Sequence, residues 1–438
     1  MKISISMRET KRKILVSLLL LACGAFASAQ RTKTHGRWVS AWSTAVHAPL
    51  TFPGLPPAQV FENQTVRMII RPSIGGRQFR IRFSNAFGSS PLYIGAAHIA
   101  LTNRGASVVS GSDHPLTFNG KSYVTIPVRA PILSDPVELK VSPFAELSVS
   151  IYLPHRTPGV TTHFWAQHDS YIAGPGDLTG LAEMPASVKM TSWFFLSDLE
   201  VWREDKAGAI VALGDSITDG VGAKQGDHED WPDMLAKRLA ATSGDRDLSV
   251  LNEGIGGNRI LYDGAGVSAL ARFDRDVLAQ PGVEEIILLE GINDIGWPHM
   301  KPKPSKDGTT PKTGPFAAQS VTADDLIMGM QQLIDRAHEH HIRVFGATLT
   351  PYEGADYFSS DGEQVRKKVN EWIRNSGAFD GVFDFDAAVR DPTNPSRFRE
   401  DLQSGDHLHP SAAGYAAMAA AIDLAKLRNV SSKPHLAR

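Results

Sequence analysis

The chain has 438 residues, 42% hydrophobic and 21% charged, with a formal net charge of −2. That size and apolar content suffice for about two folded domains. The near-neutral balance offers no electrostatic footprint for nucleic acid or an anionic membrane surface, and a single cysteine, Cys23, excludes a disulfide framework within the chain.

Cys23 falls in a segment that reads as a leader. Lys11, Arg12 and Lys13 precede an apolar run from Ile14 to Ala22, and Ala27-Ser28-Ala29 offers a small-residue cleavage site before Gln30. The run is short for a membrane span. Residues 1–29 are therefore expected to be a signal peptide, and the protein to be secreted or periplasmic without stable membrane insertion. Leu20-Leu21-Ala22-Cys23 also resembles a bacterial lipoprotein box, so a lipid anchor on Cys23 is the alternative.

Residues 30–204 read as an all-β accessory domain, a sandwich or jelly roll. The run 78–83 alternates Phe79, Ile81 and Phe83 with Arg80 and Arg82. Further short runs at 66–71, 93–101, 123–128, 137–141, 147–153, 162–165 and 193–202 are punctuated by Gly, Pro, Asn and Asp. Trp38, Trp42, Trp165 and Trp193 admit two readings, core residues or a carbohydrate platform. The polar stretch 203–206 is the boundary expected.

From residue 205 to about 430 the pattern becomes α/β. Strands are expected at 209–213, 248–252, 284–289, 343–348 and 382–385, with helices at 231–241, 268–278, 323–340, 362–375 and 411–427. Five strands alternating with helices predict a parallel five-stranded sheet covered on both faces, flavodoxin-like in type. The stretch 298–321, rich in Pro, Lys, Gly and Thr and without periodicity, is either a substrate-shaping lid or a surface insertion.

The chemistry is expected at the ends of these strands. Gly214-Asp215-Ser216-Ile217-Thr218-Asp219-Gly220 follows the first. Gly254-Ile255-Gly256-Gly257-Asn258 follows the second, and Gly291-Ile292-Asn293-Asp294 the third. Asp406-His407-Leu408-His409 precedes the last helix. Taken alone, Ser216 could be a helix cap and the glycines a tight turn. Asp215 and Asp219 read as residues that hold the turn through side-chain-to-backbone bonds. Other motifs fail on spacing. There is no Gly-Lys-Ser/Thr of a phosphate loop, no third glycine of a dinucleotide fingerprint, and no Gly-x-Ser-x-Gly elbow. His338-Glu339-His340-His341 is not His-Glu-x-x-His, and no metal is expected there.

Ser, Gly, Asn and His in that order resemble the SGNH hydrolases, the GDSL esterase/lipase family, over roughly residues 210–427. The resemblance implies a three-layer αβα fold of the same kind and a serine esterase that works through an acyl-enzyme and needs no cofactor. It implies Ser216 as nucleophile, His409 as general base and Asp406 as its partner, with His407 the rival base at a spacing the family does not use. It also implies an oxyanion hole from the Ser216 and Gly257 amides and the Asn293 side chain, Gly257 being favoured over Gly256. Family members include lipases, lysophospholipases, arylesterases and carbohydrate deacetylases. Export, a β-domain and scattered aromatics favour acetyl esters on glycans as substrate. A non-catalytic glycan-binding protein and acyl transfer to an alcohol are the rival functions.

Overall fold

The computed structural model describes residues 36–51, 57–242, 247–302 and 313–428. The expected leader, Cys23 and the middle of the 298–321 stretch lie outside them. The first part of the chain is built of antiparallel strands. One sheet runs in the order Arg37–Ser43, Leu196–Arg203, Gly76–Ser84, Val137–Val141, with Pro131–Leu133 also on Gly76–Ser84. The second is longer, and at its centre Leu147–Leu153 lies between Gln64–Ile70 and Ala96–Arg104. Val66, Met68, Ile99, Val149 and Ile151 of that sheet and Phe79, Ile81, Phe83, Leu199 and Val201 of the other are all fully buried in one continuous core. The alternation that predicted strand 78–83 thus points its apolar face into that core.

The opposite face is not simply wet. Arg80 and Arg82 reach the buried carboxylates Glu200 and Asp198, because this side of the sheet lies against the rest of the protein, where Arg82 Nη1 donates to Ala279 O at 3.3 Å. The run expected at 193–202 is two strands, Ser192–Phe194 and Leu196–Arg203. The break falls at Phe195, whose φ of 57° places it in the left-handed region. The tryptophans divide. Trp42 and Trp193 are core residues packed edge-on at 4.9 Å. Trp38 is half-buried under the Arg80 guanidinium. Trp165 alone of the four is exposed.

From Arg203 the chain passes into the first parallel strand, Gly208–Gly214. The five parallel strands stand in the order Leu248–Gly254, Gly208–Gly214, Val283–Leu289, Arg343–Ala347, Gly381–Phe383. Their apolar runs are continuous because both faces are covered. Helices Trp231–Ala241 and Ala412–Ala420 pack together, and helix Ala323–Glu339 packs with Ala269–Phe273 and Ser360–Asn375. Residues from Trp38 on form one compact unit, so no gap separates the antiparallel part from this sheet. Ser249 Oγ on the edge strand donates to Ser40 O at 2.6 Å, and Ser40 N donates to Pro281 O at 2.8 Å. Among the described residues no helix is long and apolar enough to cross a membrane.

Several helix ends differ from expectation for local reasons. Ser268 caps a short α-helix, Ala269–Phe273, that widens into a π-type turn, Asp274–Leu278. The helix expected at 411–427 stops at Ala420 and restarts at Leu424, with Asp423 Oδ1 accepting from Ala425 N at 2.9 Å. The last parallel strand ends at Phe383, since Asp384 caps a new helix, Phe385–Val389.

Candidate active site

The three loops after the first three parallel strands and the loop before helix Ala412–Ala420 meet at the C-terminal edge of the sheet. This is where an open α/β sheet leaves a crevice. Strand Gly208–Gly214 is wholly buried, so its register is fixed and the turn that follows is held from below. Asp215 caps that turn, accepting from Ile217 N at 2.9 Å. Burial pushes its carboxyl up to about 7. Ser216 opens the single helical turn Ser216–Asp219, where the first amides have no partner within the helix.

Ser216 Oγ and His409 Nε2 are 2.8 Å apart, and His409 Nδ1 and Asp406 Oδ2 are 2.5 Å apart. Asp406 is shaped for this by its own loop. Its Oδ1 accepts from Leu408 N at 3.0 Å and His409 N at 2.9 Å, leaving Oδ2 for the ring. Partial burial works to raise its pKa. The hydrogen bond from His409, its charge and the two amides outweigh that and hold the carboxyl well below the usual range. An ionised Asp406 accepts the Nδ1 proton, so Nε2 presents a lone pair to the Ser216 hydroxyl. His407 makes no such contact. Its ring packs against Gly354 and its amide donates to Gln403 Oε1 at 3.1 Å.

The second loop crosses close above the serine turn. A Cβ on Gly254 would lie 2.3 Å from Asp219 N, which is why this residue is glycine. Gly256 N donates to Asp219 Oδ2 at 3.1 Å and is occupied. Gly257, at φ 81°, turns the chain. Asn293 Nδ2 donates to Asn258 O at 3.0 Å, and Tyr357 OH lies 3.2 Å from Asn293 Oδ1. A carbonyl on one side therefore fixes which end of the amide is nitrogen, and Asn293 keeps a second N–H beside the Gly257 loop. Asp294 accepts from Ile260 N and Leu261 N at 2.8 and 3.0 Å, with burial raising its carboxyl to about 6. It anchors the far end of that loop. Gly257→Ala is expected to be severe, because the new Cβ would lie 2.7 Å from Trp297 Cζ2 on a backbone that favours glycine. If the Gly257 amide is an oxyanion donor, kcat should fall about 10²–10³-fold. Gly256→Ala, which meets Trp165 only at 3.6 Å, should fall much less, as steady-state kinetics of the two variants would show.

Three residues that brace the site carried no sequence signal of that role. Tyr357 lies in a loop without a motif. Arg272 occupies an ordinary helix position, yet it is fully buried and donates to Gly214 O, Glu253 O and Asn258 Oδ1. Arg259 stands over the Trp297 and Phe316 rings and donates to Gln319 Oε1 at 2.7 Å, so it ties the later end of the 298–321 stretch to the Gly257 loop. Asp219 was expected to hold its own turn, but its side chain reaches outward instead: Oδ2 accepts from Gly256 N, and His163 from the antiparallel part sits 3.0 Å from Oδ1. A cavity of about 50 Å³ is lined by Asp219, His163, His168 and His228, and by neither Ser216 nor His409. His338 of the histidine-rich helix end pairs with Asp380 at 2.9 Å, and no group of His, Cys, Asp and Glu among the described residues is arranged to hold a metal ion.

A nucleophile bonded to an imidazole, the imidazole oriented by a carboxylate, and amide donors on the adjoining loop are the parts needed for acyl transfer. Residues 212–417 match the GDSL-like lipase/acylhydrolase family, and this part of the chain belongs to it. The chain thus carries a GDSL-like acylhydrolase domain behind an antiparallel β-rich part. No curated protein matches the chain. Among solved structures it is similar to a protein assigned to the lipolytic G-D-S-L family from Desulfitobacterium hafniense, at 23% identity over 49% of this chain and 96% of that one, TM-score 0.35. It is also similar to Axe2, an acetylxylan esterase from Geobacillus stearothermophilus, at 20% identity over 49% and 91%, TM-score 0.36. A third is LAE5, an α/β hydrolase from the metagenome of Lake Arreo, at 20% over 51% and 97%, TM-score 0.37.

Proposed function

We propose that this protein is an exported serine esterase that hydrolyses short acyl esters, acetyl groups on carbohydrate above all. The observation that carries the esterase reading is the unbroken chain Ser216 Oγ, His409, Asp406. In this reading His409 takes the Ser216 proton as Oγ attacks the ester carbonyl. The Ser216 and Gly257 amides and the Asn293 side chain stabilise the oxyanion, and His409 returns the proton to the leaving alcohol. Water, activated by the same imidazole, then releases the acid and frees Ser216. No step calls for a cofactor. Export rests on the leader at 1–29, with lipidation of Cys23 as the variant of it.

Trp165 supports the carbohydrate side of the reading. It is 45% exposed, and a Cβ on Gly256 would lie 3.6 Å from its ring, which places it beside the Gly257 loop. Its φ of 60° is costly for a bulky residue, and the Phe164 ring packs against it at a tilt, centroids 4.8 Å apart. A rigid, exposed aromatic face at the rim of a polar site suits a sugar ring. The test is hydrolysis of nitrophenyl esters from acetyl to dodecanoyl, together with acetate release from acetylated xylan. Acetyl preference with acetate release is expected, and a long-chain preference would make the enzyme a lipase or lysophospholipase instead. Trp165→Ala should raise KM on the glycan about 2- to 10-fold, the worth of one aromatic stacking contact, and leave nitrophenyl acetate nearly unchanged. An equal effect on both substrates would remove the platform.

A further inference from the structure

A side chain of the antiparallel part reaches the serine turn. His163, on strand Thr162–Phe164, is 2% exposed, and Asp219 is 6% exposed. His163 Nδ1 lies 2.7 Å from Ala45 O, and its Nε2 lies 3.0 Å from Asp219 Oδ1. A backbone carbonyl only accepts, so Nδ1 carries a proton. A carboxylate also only accepts, so Nε2 carries one too. Burial opposes charge on this ring, but Asp219 and the Ala45 carbonyl outweigh it and raise the pKa of His163. Neighbouring His47 shows the contrast. Its Nδ1 faces Ala48 O and its Nε2 accepts from Phe164 N, which makes it neutral, and burial lowers its pKa to about 3.

The other oxygen of Asp219 accepts from Gly256 N at 3.1 Å, and Gly257 is the next residue. Asp219 is also three residues from Ser216, in the same helical turn. The carboxylate therefore joins the nucleophile turn to the oxyanion loop, and His163 fixes the carboxylate's rotation from outside the family domain. We propose that His163 is a positioning residue for the esterase reaction, acting through Asp219 and the Gly256 amide to hold the Gly257 N–H where the oxyanion forms. The antiparallel part is then a component of the catalytic machinery and not only an appended module. The inference rests on the esterase reading above.

The experiment compares His163→Ala, His163→Gln and Asp219→Asn with wild type in nitrophenyl acetate hydrolysis, with Ser216→Ala alongside and thermal unfolding as a check of folding. Misplacing a donor by about 1 Å can cost on the order of 100-fold. His163→Ala and Asp219→Asn should accordingly lose about 10- to 100-fold in kcat with KM little changed. His163→Gln, whose amide can donate to Asp219, should recover most of the loss. If His163→Ala fails to fold, Asp219→Asn carries the decision, because it keeps the side-chain volume. Gln225→Ala cuts an exposed bond to Asp169 between the same two parts of the chain and should leave kcat unchanged. Wild-type kcat in folded His163→Ala or Asp219→Asn would overturn the inference, as would an equal loss in Gln225→Ala. If those results came with Ser216-dependent turnover in the wild type, the esterase reading would stand. Absence of Ser216-dependent turnover would take both down.

Discussion

Ser216→Ala is expected to lower kcat on nitrophenyl acetate by up to ~10⁶ while leaving the fold unchanged. The hydroxyl makes one side-chain contact, with His409 Nε2 at 2.8 Å, so its removal creates no cavity of consequence. His409→Ala should cost about as much, and the double variant little more than either single one, because nucleophile and base act as a unit. Asp406→Asn should be milder, roughly 10⁴. The amide can still accept from Leu408 N and His409 N through one oxygen. Its NH₂ would then face His409 Nδ1 and favour the tautomer with the proton on Nε2, pointing at Ser216. Steady-state kinetics on the four proteins, with their thermal unfolding compared, checks the ordering. Additive losses in the double variant, or turnover surviving Ser216→Ala, would show that these residues do not work as one system.

What was legible in the sequence follows from how local each constraint is. Asp406 and His409 share a loop, and the carboxylate is organised by amides two and three residues away, so a three-residue spacing carries the geometry. The apolar run of strand Gly208–Gly214 likewise announces its burial on both faces. The helix ends were less legible because side-chain caps such as Asp384 and Asp423 compete with periodicity over a few residues. Contacts that close over long stretches of chain left no trace. His163 lies 56 residues from Asp219 in an unremarkable strand, and Tyr357 lies 64 from Asn293. The choice of Gly257 over Gly256 came from a motif. In the structure Gly256 N has an acceptor in Asp219; the kinetics of the two alanine variants test Gly257. Trp42 and Trp193 show another case, in which the sequence admitted both a core and a platform reading and the packing of the two sheets places both residues in the core.

Arg272→Met is expected to be the most destabilising single change near the site. The guanidinium is fully buried. It donates through Nε to Asn258 Oδ1 at 2.9 Å and through Nη2 to Gly214 O at 2.9 Å, and through Nη1 to Glu253 O at 2.7 Å and Asp276 Oδ2 at 3.3 Å. Glu290 stands 3.8 Å away, also buried, and burial chiefly pushes its carboxyl well above the usual range. One side chain thus ties together the ends of the first two parallel strands and the loop that carries Gly257. Methionine replaces the volume but takes the Arg272 donors from Asn258 Oδ1 and Glu253 O, and leaves Gly214 O with Ile255 N alone and Asp276 with Arg275 alone. Breaking such a buried set by removing one partner costs about 3–5 kcal/mol, a large share of the stability of most domains. Arg272→Lys should restore little, because a single ammonium cannot present the same fork of donors in a plane. Chemical denaturation of both variants measures the loss, with Arg399→Ala, whose partner Asp401 is at the surface, as a comparison expected to show no measurable change. Activity should fall with stability, since the released carbonyls belong to Gly214 and Glu253 and the released amide to Asn258, the frame on which Ser216 and Gly257 are set. A variant as stable as wild type would mean that the surrounding carboxyls take up protons and the strands hold their ends without the arginine.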